Sequence, residues 1–152
     1  MFPLSDANSF AAIRGKAHMI LYRPVGPKEL ELIAQSGFKA FPPRLPDQPI
    51  FYPVLNFEYA AQIAREWNST GPEGAGFVTR FEVEQSHADQ FEVHVVGNRT
   101  HQELWVPAEE LAEFNRHIVG LITVEAVFYG EKFNGEIDPA INLPVHIARL
   151  LR

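Results

Sequence analysis

The 152-residue sequence contains no cysteine. Disulfides, thiolate metal sites and cysteine nucleophiles are therefore excluded. Positive charge is also short, with 13 Lys and Arg against 19 Asp and Glu and a formal net charge of -6. That balance argues against a broad phosphate-binding surface, so no extended nucleic-acid face is expected, although a local basic groove remains compatible with it. No apolar run reaches the roughly 20 residues a membrane-spanning helix needs, and no membrane partner is expected. The opening MFPLSDANSF lacks the charged start and long apolar stretch of a signal peptide. A bacterial-type, cytoplasmic protein is the expectation. GPKEL and GPEGAG match neither a Walker loop nor a dinucleotide fingerprint, and no GxSxG elbow is present.

What the chain does have is apolar and aromatic mass: 46% hydrophobic residues, including 12 Phe, 4 Tyr and 2 Trp. The length fits one domain with a real core. Residues 1–16 read as an N-terminal extension, in which Ser5 or Asp6 could cap a short helix carrying Phe10 and Ile13. Residues 17-AHMILYRPV-25 read as a strand. Pro27 suits the first turn of the helix 28-KELELIAQS-36, which buries Leu30, Ile33 and Ala34 and stops at Gly37. A short strand is expected at 38-FKAF-41. The proline-rich loop 42-PPRLPDQP-49 follows, then a strand at 50-IFYPVL-55. Asn56 is a good N-cap for the helix 56-NFEYAAQIAREWN-68, with Ala60, Ile63, Ala64 and Trp67 as its buried stripe.

After the turn at 69–76 the pattern changes. Segments 77-FVTRFEVE-84 and 91-FEVHVVG-97 alternate with the period of a strand. Next come a strand at 102-QELWVP-107, a helix at 108–118 and a long strand at 119–130. Residues 138–152 read as an amphipathic helix broken at Pro144, burying Ile141, Val145, Ile147 or Ala148, and Leu151 against the core or a second copy of the chain. The order predicts an α+β fold: one domain with a split, twisted, mostly antiparallel β core over 17–130, flanked by helices, and a helical tail over 131–152.

His87, His94 and His101 recur every seven residues, a spacing that does not bring three rings together on one strand. A surface or hydrogen-bonded role is expected for each, and no metal. Glu109, Glu110 and Glu113 lie early in a helix, where acids suit the dipole. Two other residues carry more chemistry. Arg23 closes the first strand, where its planar fork can meet a phosphate or carboxylate, or else pair with a nearby acid. Glu103 opens a strand whose alternation would turn His101, Glu103 and Trp105 to one face. It is either an exposed strand-end acid or a carboxylate at the mouth of a ligand pocket.

The succession of a strand ending in Arg23, a helix, FPPRLP, FYPVLN, the helix 57-FEYAAQIA-64 and a late HQELWVP resembles the ADP-ribosyltransferase superfamily. With LYRPVGPKEL and WVPAEELAEFN it is similar to small bacterial proteins labelled "ADP-ribosylation/crystallin J1", over about residues 19–130. The resemblance implies an NAD-dependent ADP-ribosyltransferase or NAD glycohydrolase, with NAD as substrate. In that frame Arg23 with Tyr22 would hold NAD. Phe51 and Tyr52 would stack on nicotinamide, and Trp105 and His101 would lie beside the site. Glu103 would be the catalytic glutamate. The segment 51-FYPVLN-56 has no Ser-Thr-Ser, so Asn56 or Tyr52 would stand in for the serine that supports the glutamate. Position 101 is His where the frame has Gln or Glu. The alternative is a catalytically inactive nucleotide-binding or protein-interaction module on the same fold.

Overall fold

The computed structural model describes residues 17–151. The extension over 1–16, with its expected helix near Ser5 or Asp6, lies outside the described residues. The fold is α+β, with helices packed on antiparallel sheets.

Strand β1 (His18–Val25) turns Leu21, Arg23 and Val25 inward, and helix α1 (Pro27–Gln35) follows at once. Pro27 at its start needs no backbone N–H bond. The helix ends where Gly37 takes φ +77°, and it buries Leu30, Ile33 and Ala34 as its period requires. Strand β2 is only Ile50–Phe51. Helix α2 (Phe57–Ile63) is capped by Asn56, whose side chain accepts from the Tyr59 N–H, and runs on as a π-helical turn over Ala64–Asn68.

Strand β3 (Ala75–Glu84) is the central strand and the most continuously buried. Then come a one-turn helix α3 (Gln85–Ala88), β4 (Glu92–Val95), β5 (Gln102–Pro107), α4 (Leu111–Arg116), and the long β6 (Ile118–Tyr129). A small hairpin of β7 (Ile137–Asp138) and β8 (Leu143–Pro144) leads into a last turn, α5 (Val145–Ala148).

Two three-stranded antiparallel sheets result, ordered β1-β3-β6 and β2-β5-β4. Val54 joins them through single bridges to Tyr22 on one side and Glu103 on the other. The Tyr22 and Val54 main chains exchange two hydrogen bonds at 2.9 and 2.7 Å. The β core is therefore split into two antiparallel sheets, with the 50–55 segment beside the strand that starts at Gln102 and standing between it and the 17–25 strand. Between the sheets lies an aromatic core. Phe41 meets Phe51 and Phe81 at centroid separations of 5.1 and 4.8 Å, and Phe114 meets Phe51 at 5.8 Å. All four rings are buried. Gly76 lets β3 approach α2: a Cβ there would lie 2.3 Å from the Ala64 carbonyl oxygen.

Five expectations need correction. Residues 38–41 form no strand. Phe38 has φ +60°, and both main-chain groups of Phe41 are taken by the Asn115 amide, at 2.9 and 3.0 Å. The strand expected over 50–55 is cut to two residues and a bridge, because Pro53 offers no N–H. Trp67 is 73% exposed, since the π-helical turn rotates it off the stripe that holds Ala60 and Ala64. The tail is a hairpin and one short turn. It buries Leu143, Ile147 and Ala148, while Ile141 and Leu151 stay exposed. His87 is buried and stacked on His117 at 3.9 Å, and its Nε2 has no hydrogen-bond partner among the described residues.

Candidate functional site

A cleft of about 250 Å3 opens where the two sheets meet. Arg23, Glu29, Arg44, Gln48, Tyr52, Asn68 and Glu103 supply its polar and aromatic lining. Three of the residues singled out from the sequence, Arg23, Tyr52 and Glu103, thus share one cavity although they come from β1, the loop after β2, and β5.

Each is placed by a local cause. Arg23 follows the inward alternation of β1, and the Thr79 hydroxyl donates to its carbonyl at 2.8 Å. Its guanidinium lies 4.8 Å from the centroid of the Phe51 ring. Its Nε and Nη2 donate to the two carboxylate oxygens of Glu29, at 2.6 and 3.1 Å. Glu29 stands in the first turn of α1, six residues on, where the helix start favours an acid. Among the described residues Nη1 has no hydrogen-bond partner.

Arg44 is the second cation. Its Nε donates to the Ile50 carbonyl at 3.0 Å, and its guanidinium sits over the Tyr52 ring at 5.7 Å. Burial, and then the charge of Arg23, push its pKa below the usual arginine value.

Glu103 is 8% exposed, so its charge needs partners. Among the described residues it has two: the Tyr59 hydroxyl donates to Oε2 at 2.7 Å and Trp105 Nε1 donates to Oε1 at 3.0 Å. Burial, and then the hydrogen bond to Glu103, push the Tyr59 phenol well above its usual pKa. Tyr59 therefore stays a hydroxyl donor throughout the ordinary pH range. Glu103 is thus a buried, hydrogen-bonded carboxylate at the cleft, and the reading of it as an exposed strand-end acid is set aside.

A second hollow of about 440 Å3 adjoins the first and shares Gly26, Glu29, Arg44, Gln48 and Asn68 with it. Its outer wall is more apolar, built from Leu32, Pro42, Pro43 and Leu45. Asn68 Oδ1, in the shared stretch, is a buried acceptor with no hydrogen-bond partner among the described residues.

Comparison of the chain with family models, with curated proteins and with solved structures finds no match. The site is therefore read from its own geometry.

The other candidates do not line the cleft. Tyr22 faces away from Arg23 and packs edge-on against Phe57, 6.0 Å between centroids. Phe51 is fully buried beneath Arg23 and offers no face to a ligand. Asn56 spends its side chain on the helix cap and on the Thr100 carbonyl. His101 is stacked on Tyr59, and Trp105 is stacked on His94. Trp105 reaches the site through its N–H to Glu103.

Sequence reading missed Glu29, Arg44, Gln48, Asn68 and Tyr59. Two signals were available: Arg44 is the one charge inside FPPRLP, and Tyr59 stands three residues after an N-cap, where its N–H is fixed. Among the described residues no group of three or more His, Asp or Glu could hold a metal ion.

Proposed function

We propose that the chain is an NAD-consuming enzyme, an ADP-ribosyltransferase or NAD glycohydrolase in which Glu103 stabilises the transition state. The observation that carries this reading is the shared cleft of Arg23, Tyr52 and Glu103. The segments follow the order that the superfamily resemblance implies: an arginine on the first strand, an aromatic after the second, and a glutamate opening a late strand.

The chemistry follows from the arrangement. The bond between the ribose anomeric carbon and the nicotinamide nitrogen breaks. Its electron pair leaves with neutral nicotinamide, and positive charge develops on the ribose. Glu103 is a fixed, desolvated anion that opposes that charge as it forms. Arg23 Nη1 and Arg44 supply donors for the pyrophosphate, and Tyr52 supplies a ring for the nicotinamide to stack on. Water or an acceptor nucleophile then bonds to the anomeric carbon and loses its proton.

A second reading, a binding module without catalysis, has one observation in its favour. Glu29 already occupies two donors of Arg23, so part of the anion site is filled from within. Calorimetric titration with NAD and an assay of nicotinamide release separate the two. Glu103→Gln is expected to keep NAD affinity and to slow release by about a hundredfold or more, the scale of losing one electrostatic stabiliser. Binding without release in the wild type would select a nucleotide-binding module, and absence of NAD binding would end the enzyme reading and leave only a protein-interaction module.

A further inference from the structure

Glu103 is gripped from two sides by devices of the same construction. On each side a ring donor reaches one carboxylate oxygen, and a histidine lies flat against that ring. Tyr59 lies on His101 with 4.2 Å between centroids and 8° between planes. Trp105 lies on His94 at 3.8 Å and 16°. The plates are themselves tied down. His94 sits on β4 directly opposite Glu103, with its Nε2 3.1 Å from the Glu92 carboxylate. The His101 main chain is bonded on both sides, to Asn98 and to Val96. Tyr59 is anchored at its N–H by Asn56, whose amide also reaches the loop carrying His101.

From this we infer that Tyr59 and Trp105 are positioning residues for Glu103, and that His101 and His94 are the plates that hold the two donors in place. The inference rests on the reading of Glu103 as the carboxylate facing the reacting ribose. A glutamate has three rotatable side-chain bonds, and an unrestrained one samples several rotamers. A carboxylate that must oppose a developing cation works best when its orientation is set before the charge appears. Two donors on opposite oxygens fix both the direction and the plane of the group. The support comes from Tyr59, one turn into α2, and from Trp105, two residues along the same strand. Because the clamp acts on Glu103 rather than on the ligand, its loss falls on kcat and leaves KM in place.

Tyr59→Phe keeps the ring on its plate and deletes only the hydroxyl. Two measurements are read on it. In a 15N spectrum the two indole N–H signals belong to Trp67, which is 73% exposed, and to Trp105. The Trp105 signal is expected to move, because its acceptor loses the opposing anchor, while the Trp67 signal stays. In the nicotinamide-release assay kcat is expected to fall about tenfold or more with KM nearly unchanged, the scale of one hydrogen bond to a charged group. If Tyr59→Phe fails to fold, His101→Ala and His101→Phe carry the test. The alanine is expected to give the same split and the phenylalanine, which restores a flat plate, to recover it. An unmoved Trp105 signal with unchanged kcat overturns the clamp, as does a loss that appears in KM. A wild type that releases no nicotinamide, while Tyr59→Phe still moves the Trp105 signal, retires the NAD reading and leaves the clamp standing.

Discussion

Replacing Glu29 with alanine strands a guanidinium inside the protein. The Arg23 side chain is 9% exposed and that of Glu29 is 24% exposed, and two hydrogen bonds of 2.6 and 3.1 Å join them. Breaking a buried pair from one side costs about 3–5 kcal/mol, most of it the uncompensated charge. The partial exposure of Glu29 and the Phe51 ring against the guanidinium put this case at the lower end, about 3 kcal/mol. A chain of this size loses about 2–4 °C of Tm per kcal/mol, so Glu29→Ala is expected to melt roughly 6–12 °C below the wild type. Arg23→Met removes the charge and keeps a stem against Phe51. Glu29→Ala in the Arg23→Met background is therefore expected to cost far less, leaving a coupling of about 2–3 kcal/mol in the cycle. Urea unfolding of the four proteins measures it. Added pyrophosphate has a further effect: it is expected to raise the Tm of Glu29→Ala more than that of the wild type, because it fills the vacated place beside Arg23. A Glu29→Ala cost under about 1 kcal/mol with no coupling would mean that the pair behaves as a surface ion pair. The account of Arg23 as a buried, anion-seeking group would then be wrong.

The other expectations are shorter. His87 has its pKa lowered from 6.5, first by burial and then by the charge of His117. His117 has its pKa raised from 6.5, first by the hydrogen bond to Glu84. The signs oppose. The His87 term is lost as pH falls below the unfolded value near 6.5, and the His117 term is lost as pH rises through its folded value. His87→Phe is thus expected to gain stability relative to wild type at pH 5 compared with pH 8, read by urea unfolding at both. An equal effect at the two pH values would refute it. Gly76→Ala drives a Cβ to within 2.3 Å of the Ala64 carbonyl. A loss of roughly 1–3 kcal/mol is expected, and an unchanged melt would show that β3 and α2 can slide apart.

How much of this was legible depended on whether local pattern or tertiary contact decided the outcome. The alternation of 102-QELWVP-107 gave the limits of β5, and Pro27 and Gly37 framed α1, because these signals are local. The same alternation separates Tyr22 from Arg23, so only one of them can face the cleft. Residues 38–41 had the composition of a strand, but Asn115, 74 residues away, captured the backbone of Phe41. The burial of Trp67 failed because a π-helical turn carries more residues per turn than the helical period used to read it. Of the residues lining the cleft, Arg23 and Glu103 were singled out by residue type and place in the strand, and Tyr52 by the order that the resemblance implies. Glu29, Tyr59 and Arg44 were not, because pairing partners 6 or 44 residues apart carry no mark in a single sequence.

The bridges made by Val54 set a length. Arg23 follows the residue of β1 that pairs with Val54, and Val54 in turn pairs with Glu103, so one intervening chain stands between the strand that carries Arg23 and the strand that carries Glu103. Two adjacent strand spacings amount to about 10 Å. Backbone hydrogen bonds hold that gap on both sides of Val54, including Leu104 N to Pro53 O at 2.9 Å and Leu55 N to Gln102 O at 3.0 Å. Directly paired residues share a face, so Tyr22, Val54 and Glu103 lie on one side of these strands and Arg23 on the other. The separation of the strands is therefore a property of the main chain, and changes to the side chains of the 50–55 segment that keep those hydrogen bonds leave it in force.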